Sequence, residues 1–262
     1  MDLVSSIILG LVQGLTEFLP VSSSGHLVLA REFLGLSFDN SLSFDVLLHL
    51  ATLFAILVCF WGDIRRILID LRSEGFSARS ITLLWAIAVG TIPAVIVGYF
   101  WGDFLESSFR HPTYVALSLI AGSVLFFIAD KVAKQKGGLS GAKGFGIGVF
   151  QALALIPGVS RSGSTISGGL ILGLSREEAI RFSFLLGIPA ILGAVAKTFL
   201  DAGFASIIGP ELFNLNTIVA FVVAFVSGLF AVRFLVRYLS THSFTPFIIY
   251  RLVIAGLILF LL

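Results

Sequence analysis

Gln13 and Glu17 stand four residues apart in an apolar stretch, so a helix there puts an amide and a carboxylate on one face. Pro20 ends that helix one turn later, and Ser22-Ser23-Ser24-Gly25-His26 follows. A carboxylate, an amide oxygen, hydroxyls and an imidazole thus gather in one short segment. Oxygen donors suit Mg²⁺ or Ca²⁺, and Mg²⁺ in particular is held by one or two carboxylates together with substrate phosphates. A histidine beside a serine cluster can activate a nucleophile or protonate a leaving group. The plainer alternative makes Glu17 a structural cap and His26 an interfacial residue.

A second segment carries the complementary charge. Arg161 lies in Pro157-Gly158-Val159-Ser160-Arg161-Ser162-Gly163, with Ser164 and Thr165 beyond it and apolar sequence on both sides. An arginine at membrane depth costs about 2.5–3.5 kcal/mol on insertion scales, and such residues mark sites or pathways. A polar loop leading into a helix offers free N–H groups and a positive dipole end. With a guanidinium and several hydroxyls this is a cradle for phosphate oxygens. The competing readings are an arginine reaching an interface, or one paired structurally with a carboxylate. Arg251, inside the last apolar stretch, is a candidate second phosphate or carboxylate partner. Asp45 and His49 are also four apart, as suited to a local pair as to a ligand or relay. Gln151 is expected to make a structural hydrogen bond.

Elements that could hold these residues are set by composition. Hydrophobic residues make up 57% of the 262, charged residues 12%, against roughly 25% charge in a soluble domain. Stretches of roughly 20 apolar residues read as transmembrane helices. Six qualify, near 44–61, 81–101, 114–130, 182–200, 217–236 and 246–262. Stretches 5–30 and 145–173 are broken in the middle by proline, glycine and serine. Irregular backbone at membrane depth survives only where protein or a wet cavity satisfies it. Both are therefore expected to be re-entrant helix–loop–helix hairpins. The net charge of +2 gives no argument for nucleic acid, and the single Cys59 excludes an internal disulfide.

The two broken stretches also match each other at a constant offset of 138 residues. Gly10 falls on Gly148, Gln13 on Gln151, Ser22 on Ser160, Ser24 on Ser162 and Gly25 on Gly163, without a gap. Each copy is followed by three expected spans, an odd number, so the copies enter from opposite faces. The expected fold is an all-α polytopic membrane protein, six transmembrane helices plus two re-entrant hairpins in an inverted repeat. It forms one membrane domain over 1–262, with repeats of about 1–135 and 139–262. Inverted repeats place sites near the bilayer midplane at the repeat interface. Twelve of the 17 Lys and Arg fall on one side, Lys134 and Lys136 among them, against Arg31, Arg110 and Lys197 on the other. The richer side is cytoplasmic by the positive-inside rule, which puts both termini outside.

QGLTEFLPVSSSGH at 13–26, PGVSRSGSTISGG at 157–169 and FTPFIIYR at 244–251 resemble the undecaprenyl-diphosphatase family, the bacitracin-resistance proteins. The resemblance runs essentially the full length. It implies hydrolysis of undecaprenyl diphosphate to undecaprenyl phosphate and inorganic phosphate. That recycles the lipid carrier for peptidoglycan synthesis in the bacterial cytoplasmic (inner) membrane and gives bacitracin resistance. It also implies a divalent cation, Mg²⁺ or Ca²⁺, on Glu17 with Gln13. Glu17, Ser23, His26 and Arg161 become the catalytic set, with Ser23 the candidate nucleophile and His26 its acid/base. Ser160, Arg161, Ser162 and Thr165 would hold the diphosphate, supported by Arg251. Many members have glutamate where this chain has Gln13, so the resemblance implies one carboxylate here where those members have two. The expected partners are the lipid substrate and the membrane; if the chain self-associates, a homodimer is the assembly to expect. Inverted repeats with broken helices also suit a polyprenyl-phosphate transporter. The Glu17–Ser23–His26 set opposite Arg161 favours the hydrolase, because transport of an anionic headgroup does not need it.

Overall fold

The computed structural model describes residues 1–36, 42–72, 77–109, 111–133, 137–203, 207 and 214–261. Arg110, Lys134, Lys136 and Leu262 lie outside the described residues. The described chain is helical throughout: α1 Leu3–Phe18, α2 Ser23–Phe33, α3 Leu42–Cys59, α4 Trp61–Arg72, α5 Ala78–Phe109 and α6 Pro112–Val132, then α7 Gly141–Leu153, α8 Arg161–Ile171, α9 Arg176–Ala202, α10 Leu215–Leu239 and α11 Thr245–Leu261.

Most of these helices start where a polar side chain can satisfy a free N–H. Asp2 Oδ1 accepts from Ser5 N at 2.9 Å, Ser140 caps α7 and Asn214 caps α10. Helices α5, α6, α9 and α10 are long and apolar enough to cross a bilayer. The chain is an all-helical, multi-pass membrane protein. The stretch expected as one span at 44–61 runs as α3 to Cys59 and then bends by 69° into α4. The bend falls where Asp63, Arg65 and Arg66 enter the sequence, charges that a helix continuing through hydrocarbon could not solvate.

Both broken stretches are helix–break–helix. α2 and α8 are 11 residues each and begin 138 positions apart, at Ser23 and Arg161. Each follows a serine with positive φ, Ser22 at 75° and Ser160 at 79°. That conformation is uncommon for a residue with a Cβ and costs of order 1–3 kcal/mol, so the surroundings must hold it. Each helix also closes on a left-handed glycine, Gly35 or Gly173. Leu36 N donates to Arg31 O and Gly35 N to Glu32 O; Leu174 N donates to Gly169 O and Gly173 N to Leu170 O.

The first helix of each pair packs on a long helix of the other half, α1 on α10 and α7 on α5. Small residues permit the approach. A Cβ on Gly10 would sit 2.6 Å from the Ala220 carbonyl, and one on Gly148 would overlap the Gly90 carbonyl. The breaks at 19–22 and 154–160 are thereby carried into the interior, with Val21, Ser22, Val159 and Ser160 all buried.

Candidate active site

Helix α1 delivers Gln13 and Glu17 to the interior on one face, at 0% and 8% exposure. Gln13 Nε2 donates to Glu17 Oε2 at 3.2 Å and lies 3.2 Å from His49 Nδ1 on α3. Because the chain turns sharply at Ser22, the first residue of α2 comes back over the end of α1. Ser23 Oγ donates to Glu17 Oε2 at 2.7 Å. The matching turn at Ser160 starts α8, and Arg161 Nη2 donates to Glu17 Oε1 at 2.7 Å. One carboxylate therefore receives a serine hydroxyl on one oxygen and a guanidinium on the other. Gly187 makes room for the guanidinium: a Cβ there would overlap Arg161 Nη1.

The two breaks are tied to each other directly. Gly158 N donates to Ser22 Oγ at 3.2 Å, and Ser162 Oγ to the Leu19 carbonyl at 3.4 Å. Arg251 completes the tie. It is fully enclosed, at 0% exposure. Its Nη1 lies 3.4 Å from Pro20 O and its Nη2 3.0 Å from Gly158 O, carbonyls at equivalent positions of the two breaks. Further bonds run to the Leu119 carbonyl and Ser123 Oγ on α6, and the guanidinium covers Phe126 at 4.7 Å. None of its hydrogen bonds reaches Glu17, Ser23 or Arg161. The residue that the sequence suggests as a phosphate or carboxylate partner thus bonds the backbone of both loops.

His26 is likewise placed differently from expectation. Its Nδ1 lies 2.7 Å from the Ser22 carbonyl and its Nε2 2.7 Å from Tyr250 Oη, with the two rings stacked. Neither nitrogen meets Ser23; the acceptor for the Ser23 proton is Glu17. Ser160 Oγ accepts from Gly163 N at 3.4 Å and caps α8. Thr165 Oγ1 donates to the Arg161 carbonyl at 2.8 Å and sits 2.5 Å from Ser183 Oγ, which ties α8 to α9. Ser160, Ser162 and Thr165, the expected diphosphate contacts, are all buried beside Arg161.

Other singled-out pairs separate. Asp45 forms an ion pair with Arg31, not with His49. Gln151 is buried with neither side-chain atom partnered, where a structural hydrogen bond is expected. His49, weighed from sequence as a local pair or a ligand, and Tyr250, which carried no expected role, both join the site. The four-residue spacing of Asp45 and His49, and the Tyr beside Arg251, were the signals in the sequence.

Gln13 and Glu17 carry side-chain oxygens of the kind a hard cation takes. Gln13 Oε1 is buried with no hydrogen-bond partner, an acceptor with coordinating capacity left. Among the described residues there is no cluster of three or more His, Cys, Asp or Glu. A cation here would therefore complete its shell with water and phosphate oxygens, as Mg²⁺ commonly does.

The profile described as bacitracin resistance protein BacA matches residues 6–257. The chain is 42% identical to the undecaprenyl-diphosphatase of Rubrobacter xylanophilus over a 279-residue alignment covering 100% of this chain and 99% of that protein. It is 40% identical to undecaprenyl-diphosphatase 2 of Agrobacterium fabrum, covering 97% and 93%. It is 42% identical to the undecaprenyl-diphosphatase of Desulforudis audaxviator, covering 97% and 95%. With both broken helices, the paired loops and the Glu17 carboxylate inside the matched span, the chain belongs to the bacitracin resistance protein BacA family.

Proposed function

We propose that this chain hydrolyses undecaprenyl diphosphate to undecaprenyl phosphate and inorganic phosphate, so returning the lipid carrier to cell-wall synthesis and conferring bacitracin resistance. The observation that carries the reading is the convergence of Ser23 and Arg161 on the two oxygens of Glu17.

In the reaction this supports, Ser23 Oγ attacks the terminal phosphorus while its proton passes to Glu17 Oε2. The bond from phosphorus to the bridging oxygen breaks, and undecaprenyl phosphate leaves. Arg161 neutralises charge on the phosphate oxygens, the main catalytic demand of phosphoryl transfer. Water then attacks the phosphoserine, and Glu17 returns its proton to Ser23 Oγ. A divalent cation, Mg²⁺ or Ca²⁺, held by Glu17 and Gln13 would add positive charge at the same phosphate oxygens. Ser160, Ser162 and Thr165 hold the Arg161 loop in shape, and Arg251 holds the two breaks together.

The architecture proposed with it is six transmembrane helices and two re-entrant hairpins in an inverted repeat, in the bacterial inner membrane with both termini outside. Support comes from the pairs 138 residues apart: Ser22 with Ser160, Gly35 with Gly173, and Pro20 with Gly158.

The test is phosphate release from a polyprenyl diphosphate by detergent-purified protein with Mg²⁺. Release by wild type and none by Glu17→Ala is the expected result. An active Ser23→Ala variant, together with no trapped phosphoenzyme, would rule out the covalent route and leave direct attack by water.

A further inference from the structure

The contact between Tyr250 on α11 and His26 on α2 is used by none of the steps above. A carbonyl oxygen can only accept, so the 2.7 Å approach of His26 Nδ1 to Ser22 O puts a proton on Nδ1. In the neutral ring the remaining lone pair is on Nε2, 2.7 Å from Tyr250 Oη. The tyrosine hydroxyl is then the donor. Ring centroids 5.6 Å apart and an interplanar angle of 11° fix the imidazole plane as well. An ordinary interfacial tyrosine leaves its hydroxyl to water or headgroups; this one, although 41% exposed, has it bonded to an imidazole nitrogen. Its neighbour Arg251 is anchored to Pro20 O and Gly158 O, so the hydroxyl is held in register with both breaks.

We propose that Tyr250 is a positioning residue for the reaction, holding His26 in the Nδ1–H tautomer with its Nε2 lone pair toward the mouth of the site. This rests on the hydrolase reading and assigns His26 to the second half of it. As water oxygen bonds to phosphorus and the Ser23 Oγ–P bond breaks, the water proton passes to His26 Nε2. Glu17 returns the first proton to Ser23 Oγ, and inorganic phosphate leaves. Incoming water takes the place of the tyrosine hydroxyl at Nε2, the Ser22 carbonyl steadies the imidazolium through Nδ1–H, and the imidazolium then gives its proton to solvent as the Tyr250 hydroxyl returns.

The experiment is a double-mutant cycle of Tyr250→Phe and His26→Gln, with kcat and KM measured for phosphate release from a polyprenyl diphosphate. Phenylalanine keeps the stacked ring and removes only the hydroxyl. In the wild-type background Tyr250→Phe should lower kcat about fivefold, the worth of one neutral hydrogen bond, with KM unchanged. In the His26→Gln background it should cost nothing further. An equal loss in both backgrounds, or a change in KM alone, would overturn the proposal and make Tyr250 a substrate contact. A second readout needs no residual activity: in protein labelled with ¹⁵N-histidine, the His26 Nε2 resonance should move on Tyr250→Phe. An unmoved resonance also overturns it. Wild type that releases no phosphate defeats the hydrolase reading itself, whereas an active wild type with an indifferent Tyr250→Phe defeats only this inference.

Discussion

Arg161 Nη2 lies 2.7 Å from Glu17 Oε1, although 144 residues of chain separate them. The pair is largely enclosed, with the carboxylate buried and the guanidinium partly exposed, and the other carboxylate oxygen carries the Ser23 hydroxyl. A buried ion pair is weak support for stability, since desolvation offsets its attraction. In the proposed reaction its value is chemical: the nucleophile's proton acceptor and the phosphate's counter-charge are fixed relative to each other before substrate arrives.

Glu17→Gln keeps the shape and removes the acceptor. Phosphate release should fall by about 10²–10⁴, the usual contribution of a positioned acid/base group. Thermal unfolding in detergent reports separately on the fold. A variant within tenfold of wild type would remove Glu17 from the catalytic role.

Arg161→Lys keeps a positive charge but loses the planar fork. A loss of about 10²–10³ in kcat is expected, the scale seen when a transition-state donor is removed. Gly187→Ala leaves the arginine in place and pushes its guanidinium aside, because the new methyl overlaps Nη1. It should lower kcat in the same direction. Unchanged turnover in Gly187→Ala would mean that the guanidinium's position is not critical.

Arg251→Ala strips donors from buried carbonyls in both breaks and on α6. Hydrogen bonds to a charged group are worth about 1.5–3 kcal/mol each, so both unfolding temperature and activity should drop. Gly122→Ala offers an independent route, since a Cβ there would overlap Arg251 Nη2. The two variants should behave alike. A stable Arg251→Ala protein altered only in KM would instead return Arg251 to direct substrate binding.

Chelation should abolish phosphate release and added Mg²⁺ should restore it. Gln13→Glu supplies a second carboxylate beside Glu17 and should lower the Mg²⁺ concentration needed for half-maximal rate. An identical Mg²⁺ titration in the two proteins would take position 13 out of the metal shell.

Both breaks fall where proline, glycine and serine interrupt the apolar sequence. Pro20, the serine runs and Gly158 cannot continue a helix in lipid, and the helices stop at Phe18 and Leu153 and restart at Ser23 and Arg161. The bend after Cys59 was less legible. Asp63, Arg65 and Arg66 read as a cytoplasmic loop, yet their amphipathic spacing also suits a helix lying across the end of α3.

Local residue pattern by itself determined the helical, membrane-embedded class, the two broken segments and the chemical inventory of Glu17, Ser23, His26 and Arg161. These follow from hydropathy, backbone propensity and side-chain type, all of which act over a few residues. Partner choice was decided only in three dimensions. Ser23 and His26 are three residues apart on α2, spacing that suggests a pair, but the imidazole bonds back to the Ser22 carbonyl and turns to Tyr250. Arg161 and Arg251 look alike in sequence, both guanidinium groups in apolar surroundings. One meets a carboxylate and the other the backbone carbonyls of two loops, because the positive-φ turns at Ser22 and Ser160 and the packing of α11 on α6 set what each can reach. Such contacts span 93 to 231 residues, and spacing along the chain carries no information about them.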